Sequence, residues 1–343
     1  MKYDAVIIGG GQAGLAMGYY LKERNVSFLI VDASSEIGET WKKRYDSLRL
    51  FTPDYLSSLP GLRLEANSYP TKDEIANYLK LYAKTFTLPV QLNTKVTKLF
   101  LNNDVFMVET SKGSIQADNV IVATGPFQVP NIPRFSKNLS EEVLQLHSSE
   151  YKNPDQIRKG SVVVVGGGNS GSQIAVELVE NHKVYLSIGH KMRFLPQEVG
   201  HKSIFWYLDR LGVYKARHDS PLGKILKNKP DPIFGFELKK LIKEGTITLV
   251  PRAHSSKNNT ILFQDHSQIK IDNIIWATGY KPDYGWIKFS EVIDSKGSPI
   301  HNRGITSIKG LYFLGLPWQH NRSSALIQGV GDDARHISSH LNK

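Results

Sequence analysis

The hydrophobic pattern of this chain states one phrase twice. Near the start, AVIIGGGQAG (5–14) runs from apolar, mostly β-branched residues into glycines, and LAMGYYLKERN follows with apolar positions three and four apart. Midway, VVVVGGGNSG (162–171) does the same and passes into SQIAVELVEN. An apolar run broken by glycine predicts a buried strand, and the 3.6-residue period behind it predicts a helix. Each copy therefore reads as strand, glycine turn, helix. Further strands are expected at FLIVD (28–32) and IDNIIWATGY (271–280), while KVTKLFLNNDVFMVETSKGSIQADNVIVATG (95–125) reads as short antiparallel strands followed by a buried one. Thr71 with Glu74 predicts a capping box opening the helical stretch TKDEIANYLKLYAK. Two ATG endings, Ala123-Thr124-Gly125 and Ala277-Thr278-Gly279, form a second internal echo.

The glycines fall at G-x-G-x-x-G spacing: Gly9, Gly11 and Gly14, with Gln12 and Ala13 between, then Gly166, Gly168 and Gly171. At a strand-to-helix boundary the first permits the turn, the second lets the backbone approach a pyrophosphate, and the third lets helix and strand pack closely. The helix N-terminus adds unpaired N–H groups and a positive dipole end. What each turn holds depends on the end of the next strand. Eighteen residues past Gly14 stands Asp32, a carboxylate suited to ribose hydroxyls and hostile to a 2′-phosphate. The same offset past Gly171 gives Gly189, followed by His190, Lys191 and Arg193. With no acid and several cations there, the second site favours NADPH, although His190 also allows NADH and surface loops are often basic. The expected fold is α/β, with two Rossmann-like, doubly wound parallel sheets. Residues 1–155 and 280–343 form an FAD domain, into which an NAD(P)H domain of residues 156–279 is inserted. Thr124 and Gly125 belong with the first site.

Composition narrows the chemistry. The 343 residues contain no cysteine, so electrons cannot leave through a redox-active thiol pair, and no disulfide framework is expected. The net charge of +11 comes from dispersed basic residues without a nucleic-acid-binding motif, so nucleic acid is not an expected partner. No run approaches a membrane span, and the first strand begins too early for a signal peptide. A cytoplasmic location follows as the expectation. No metal site is expected. The stretch SIFWYLDRLGVYK from Ser203 carries an apolar stripe that suits a substrate entrance, a membrane surface or core packing.

Taken in order, GGGQAG (9–14), GETWKKRYDSLRLFTP (38–53), YPTKDEIANYLKLYAK (69–84), HSSEYKNP (147–154), GGGNSG (166–171), RFLP (193–196), ATGY (277–280) and LPWQHNRSSALIQGVGDDA (316–334) resemble the class B flavin-containing monooxygenases. These include the plant auxin-forming enzymes and small bacterial relatives. The resemblance implies that Trp41 lies near the flavin pyrophosphate, that Val96 meets the adenine through its backbone, and that Gln328 lies beside the flavin ring. Core packing or helix capping is an equal alternative for Trp41 and Gln328. It further implies that Gly168, Asn169, Ser170 and Gly171 hold the NADPH pyrophosphate. Two departures stand out. The family fingerprint keeps only its second half, His147 and Tyr151, and Thr52-Pro53 replaces the asparagine that animal enzymes place near the flavin's oxygen site.

The implied activity is monooxygenation. NADPH reduces FAD, O₂ adds to give a C4a-hydroperoxyflavin, and one oxygen atom passes to a sulfide or amine. The flavin carries that chemistry, so no catalytic side chain is named. Two other readings keep the flavin: an NADPH-dependent quinone reductase or peroxide-forming oxidase, and a redox sensor with little turnover. The partners expected are a small-molecule substrate and O₂, and a homodimer is compatible with the sequence.

Overall fold

The computed structural model describes residues 2–66 and 68–341. Its two large sheets are each built outward from the strand that precedes a glycine turn. In the first, Lys2–Ile8 lies between Phe28–Val31 and Gly113–Val122, parallel to both, and Val90–Gln91 extends the parallel set. Gly113–Val122 serves two neighbours along one edge. Its first half pairs antiparallel with Val105–Thr110, and its second half pairs parallel with Leu311–Phe313. The second sheet is wholly parallel, in the order Ile247–Val250, Lys183–Ser187, Ser161–Val165, Asn273–Trp276, Leu144–His147. The last of these lies before residue 156, where the second domain was expected to begin.

A parallel sheet covered on both faces needs apolar residues at successive positions rather than alternate ones. Ala5, Val6 and Ile7 in one sheet and Val162, Val163 and Val164 in the other are accordingly all fully buried. One face of the first sheet takes the helices Gln12–Glu23, Lys72–Thr85 and Ile327–Ser338 through Leu15, Ile75, Leu79, Val330 and Ile337. The other takes Tyr284, Ile287, Phe289 and Val292. The expected capping box is complete: Glu74 N–H donates to Thr71 Oγ1 at 3.2 Å, and Thr71 N–H to Glu74 Oε2 at 2.8 Å. In the second sheet one face is packed by the helices Asn169–Leu178 and Glu237–Lys243. The antiparallel strands Ala253–Lys257, Thr260–Phe263 and Gln268–Lys270 pack the other, with Trp276 fully buried between.

The chain runs from the first sheet toward the second at Val129–Pro130 and returns at Tyr280–Lys281, and these two segments pair antiparallel. Between Lys183–Ser187 and Glu237–Lys243 it makes a cover with the helices Ile204–Arg210 and Pro221–Lys227. No helix among the described residues is long and apolar enough to cross a membrane.

Candidate functional site

Both glycine turns have the same geometry, and the reason is steric. Gly9 and Gly166 have φ of 110° and 121°, a region that L-residues avoid. A Cβ on Gly9 would run into the Ala123 carbonyl, and one on Gly166 into the Ala277 carbonyl. The ATG echo is therefore the far wall of each turn. A Cβ on Gly14 would overlap the Gly9 carbonyl oxygen, and one on Gly171 the Gly166 oxygen, so the third glycine of each copy is needed for helix to meet strand. Gly11 and Gly168 are the N-caps of their helices, with no side-chain cap, and a Cβ on either would meet nothing within 4 Å. Each turn thus leaves uncapped N–H groups facing open space, the requirement for a pyrophosphate.

A cavity of ≈ 760 Å³ follows the carboxyl ends of the first sheet's parallel strands and reaches the second turn. Gly9, Gly11, Gln12, Ala13, Asp32, Trp41, Val96, Thr124, Gly125 and Gln328 line it, as do Asn169 and Ser170. The structure therefore brings most of the sequence-derived candidates to one place. Gly14 and Gly171 lie beneath as packing positions. Asp32 is fixed by the loop it faces: Gly10 N–H donates to Oδ2 at 2.5 Å and Ser34 N–H to Oδ1 at 2.7 Å. Each carboxylate oxygen keeps a lone pair for a further donor. Trp41 Nε1 donates to Gln12 Oε1 at 3.3 Å, and Gln12 Nε2 to the Ala325 carbonyl at 3.2 Å, which ties the first turn to the loop before Gln328.

Among the described residues, two buried amide oxygens have no partner: Asn169 Oδ1 in the second turn and Gln328 Oε1 at the start of the last helix. Leaving a buried acceptor unpaired costs about 1–3 kcal/mol. A flavin ring, a nicotinamide carboxamide and ribose all offer N–H or O–H donors, so these residues fit such groups.

At the second strand end Gly189, His190, Lys191 and Arg193 are exposed and outside that cavity. A residue the sequence reading missed joins them. Arg252 Nη2 donates to the Gly189 carbonyl at 3.3 Å, and its guanidinium occupies the space where a Cβ on Gly189 would point. Counting strands would have found it, because it lies two residues beyond Ile247–Val250, which runs parallel beside Lys183–Ser187.

Where the two sheets face each other, Arg44 Nη1 donates to the Tyr280 hydroxyl at 2.8 Å, with its guanidinium over the rings of Phe127 and Tyr280. His147 packs edge-on against Tyr280 and shares its Nε2 with the Gly279 carbonyl at 3.0 Å. It does not line the cavity, and burial holds its pKa below the usual imidazole value.

The far part of the cavity is different in kind. Phe51, Phe205, Tyr214 and Phe234 form an aromatic wall, with Phe205 and Phe234 4.5 Å apart between ring centres. Phe205 and Tyr214 come from the apolar stripe after Ser203, so that stripe lines the cavity. Trp318 and Arg322 also line the cavity. Trp318 has φ of 57°, a strained conformation for a bulky residue. Thr52 also lines this region, its hydroxyl 2.9 Å from that of Ser57.

The family described as pyridine nucleotide-disulphide oxidoreductase matches residues 6–201. An uncharacterized oxidoreductase, CzcO-like, of Geobacillus kaustophilus is 55% identical over 336 residues, 97% of each chain. An uncharacterized oxidoreductase, CzcO, of Bacillus subtilis is 49% identical over 342 residues, 99% of each. Among solved structures, the flavin-containing monooxygenase from Stenotrophomonas maltophilia superposes with a TM-score of 0.82 at 26% identity, covering 99% of this chain and 98% of that one. The resemblance read from the motifs is borne out, and the fold is mixed α/β with parallel sheets. The chain belongs to the pyridine nucleotide-disulphide oxidoreductase family, as an oxidoreductase of the flavin-containing monooxygenase kind.

Proposed function

We propose that the chain is an FAD-dependent, NADPH-reduced monooxygenase that transfers one oxygen atom from O₂ to a soft nucleophile. The first sheet serves as the FAD domain and the second, spliced into it, as the NAD(P)H domain. The observation that carries the reading is the pair of equivalent, uncapped glycine turns with unlike neighbours: the Asp32 carboxylate at one, the Arg252 guanidinium with Lys191 and Arg193 nearby at the other. Gly9 to Gly14 would hold the flavin pyrophosphate and Asp32 its ribose. Gly168 to Gly171 would hold the nicotinamide pyrophosphate, and the cations the 2′-phosphate.

Bound flavin supplies the redox chemistry, accepting hydride from the nicotinamide and activating O₂, of which one atom enters the substrate and the other leaves as water. The chain's contribution is to position both dinucleotides against one cavity, to offer Asn169 Oδ1 and Gln328 Oε1 as acceptors, and to wall the far end with apolar side chains that exclude water. The absence of cysteine speaks against a disulfide as electron acceptor through a protein thiol.

The test is turnover of flavin-loaded protein with NADPH and ¹⁸O₂ on a thioether. One labelled oxygen in the sulfoxide is expected. Unlabelled product with fast quinone reduction would replace this reading with a reductase.

A further inference from the structure

The substrate end of the cavity carries a charge pair that core packing does not require. Arg322 Nη2 donates to Asp231 Oδ1 at 2.7 Å, and both residues line the cavity. The two differ in environment: the Arg322 side chain is 17% exposed and that of Asp231 68%. Arg322 also lies with its guanidinium 5.8 Å from the Trp318 ring centre. An enclosed guanidinium retained against an aromatic surface, and paired with a solvent-exposed acid, is a cation awaiting a better anion. A guanidinium has five N–H donors, and its planar fork matches a carboxylate at two of them.

Building on the oxygenase reading, we infer that this site selects an apolar, ring-bearing substrate that carries a carboxylate. The carboxylate pairs with Arg322 and displaces Asp231 toward solvent, while the ring lies against Phe51, Phe205 and Phe234. Tyr214, stacked on Phe205, places its phenol in the same compartment as a second donor. Gln12 fixes the Ala325 carbonyl three residues beyond Arg322, so the subsite adjoins the first glycine turn and its flavin. A thioether acid combines this ring and carboxylate with the sulfur nucleophile of the oxygenase reading.

The test uses flavin-loaded protein without nicotinamide, so that binding is read independently of turnover. Titration calorimetry compares (phenylthio)acetate with its methyl ester in the unsubstituted protein, Arg322→Gln and Asp231→Asn. The acid should bind at least about tenfold more tightly than the ester, as expected of a charge-assisted pair. Arg322→Gln should erase that preference. Asp231→Asn should strengthen acid binding severalfold and leave the ester unchanged, because it removes the competing carboxylate.

An ion pair that only pins the cover would behave otherwise, with both substitutions weakening both ligands alike. That result, equal affinity for acid and ester, or no acid binding at millimolar concentration would overturn the inference. A sulfoxide lacking label from ¹⁸O₂ would overturn the oxygenase reading and leave the binding result standing.

Discussion

The two glycine turns have one backbone and two chemistries. Gly9 and Gly166 share their left-handed φ, Gly14 and Gly171 the same close approach, and Ala123 and Ala277 the same wall. They part at the next strand. In the first turn the neighbour is an acid held by two backbone N–H groups, and in the second it is an arginine stacked where a side chain on Gly189 would go. Steric necessity explains the shared part, and under the proposed function ligand charge explains the part that differs. On the proposed function the glycine motif marks a dinucleotide turn, and the charged group beside it, Asp32 at the end of the next strand or Arg252 beyond the strand after that, selects the dinucleotide.

The sharpest way to break the comparison is to fill the third glycine of each copy. Gly14→Ala and Gly171→Ala each press a Cβ into a backbone oxygen that cannot move away, a strain of about 3 kcal/mol. Gly14→Ala should lose most of its flavin, seen as the flavin-to-protein ratio after loading. Gly171→Ala should keep its flavin but lose on the order of a hundredfold in reduction by nicotinamide, with chemical reduction by dithionite intact. Loss of both functions in both variants would mean that the turns are not independent.

Exchanging the charges probes the difference itself. Arg252→Ala should weaken NADPH about ten- to a hundredfold relative to NADH, the worth of a charged hydrogen bond to phosphate. Lys191→Ala and Arg193→Ala, at exposed positions, should act in the same direction but less. Asp32→Asn should lower flavin affinity and leave the nicotinamide ratio unchanged. A nicotinamide ratio that does not respond to Arg252→Ala removes the basis for NADPH. Gly189→Asp should shift preference toward NADH severalfold, because the new carboxylate meets Arg252 and repels the 2′-phosphate. The Arg252 side chain is flexible enough to make room.

The smallest expected effect concerns the third residue of each ATG wall. The Gly125 carbonyl accepts from Gln128 Nε2 at 2.9 Å, and the Gly279 carbonyl from His147 Nε2 at 3.0 Å. Ser149 N–H donates to His147 Nδ1 at 3.2 Å, which leaves the neutral ring with its proton on Nε2. Burial lowers the folded pKa of this histidine. Its contribution is therefore complete above the unfolded value of about 6.5 and falls as pH drops below that, when the unfolded chain takes up the proton more readily. His147→Gln should flatten that portion of the stability–pH curve. Melting temperatures between pH 5 and 8 would show it, and an unchanged slope would place the sensitivity in another group.

Periodicity and glycine spacing made the parallel strands legible, since residues such as Val162 to Val165 can only be a buried strand. The edge strand Leu144–His147 was not, because half-buried positions such as Gln145 blur its pattern and its partner is Asn273–Trp276, more than a hundred residues later. The site separates in the same way. Asp32 could be counted from the third glycine because turn, helix and strand have standard lengths. Arg252 needed one strand more to be counted, since it follows Ile247–Val250, whereas Arg322 and Asp231 pair across 91 residues, a contact that no spacing along the chain announces.

The position of Leu311–Phe313 has a consequence for biosynthesis. This strand completes the first sheet against Val120, Ile121 and Val122, and the helix Ile327–Ser338 completes its core. Both are translated after every strand of the second sheet, the last of which ends at Trp276. On the ribosome the second unit is therefore finished while the first, though begun earlier, still waits for its closing pieces. Contacts across so long a stretch of chain form slowly. The cavity that joins the first glycine turn to Gln328 is therefore completed only after every strand of the second sheet has been made.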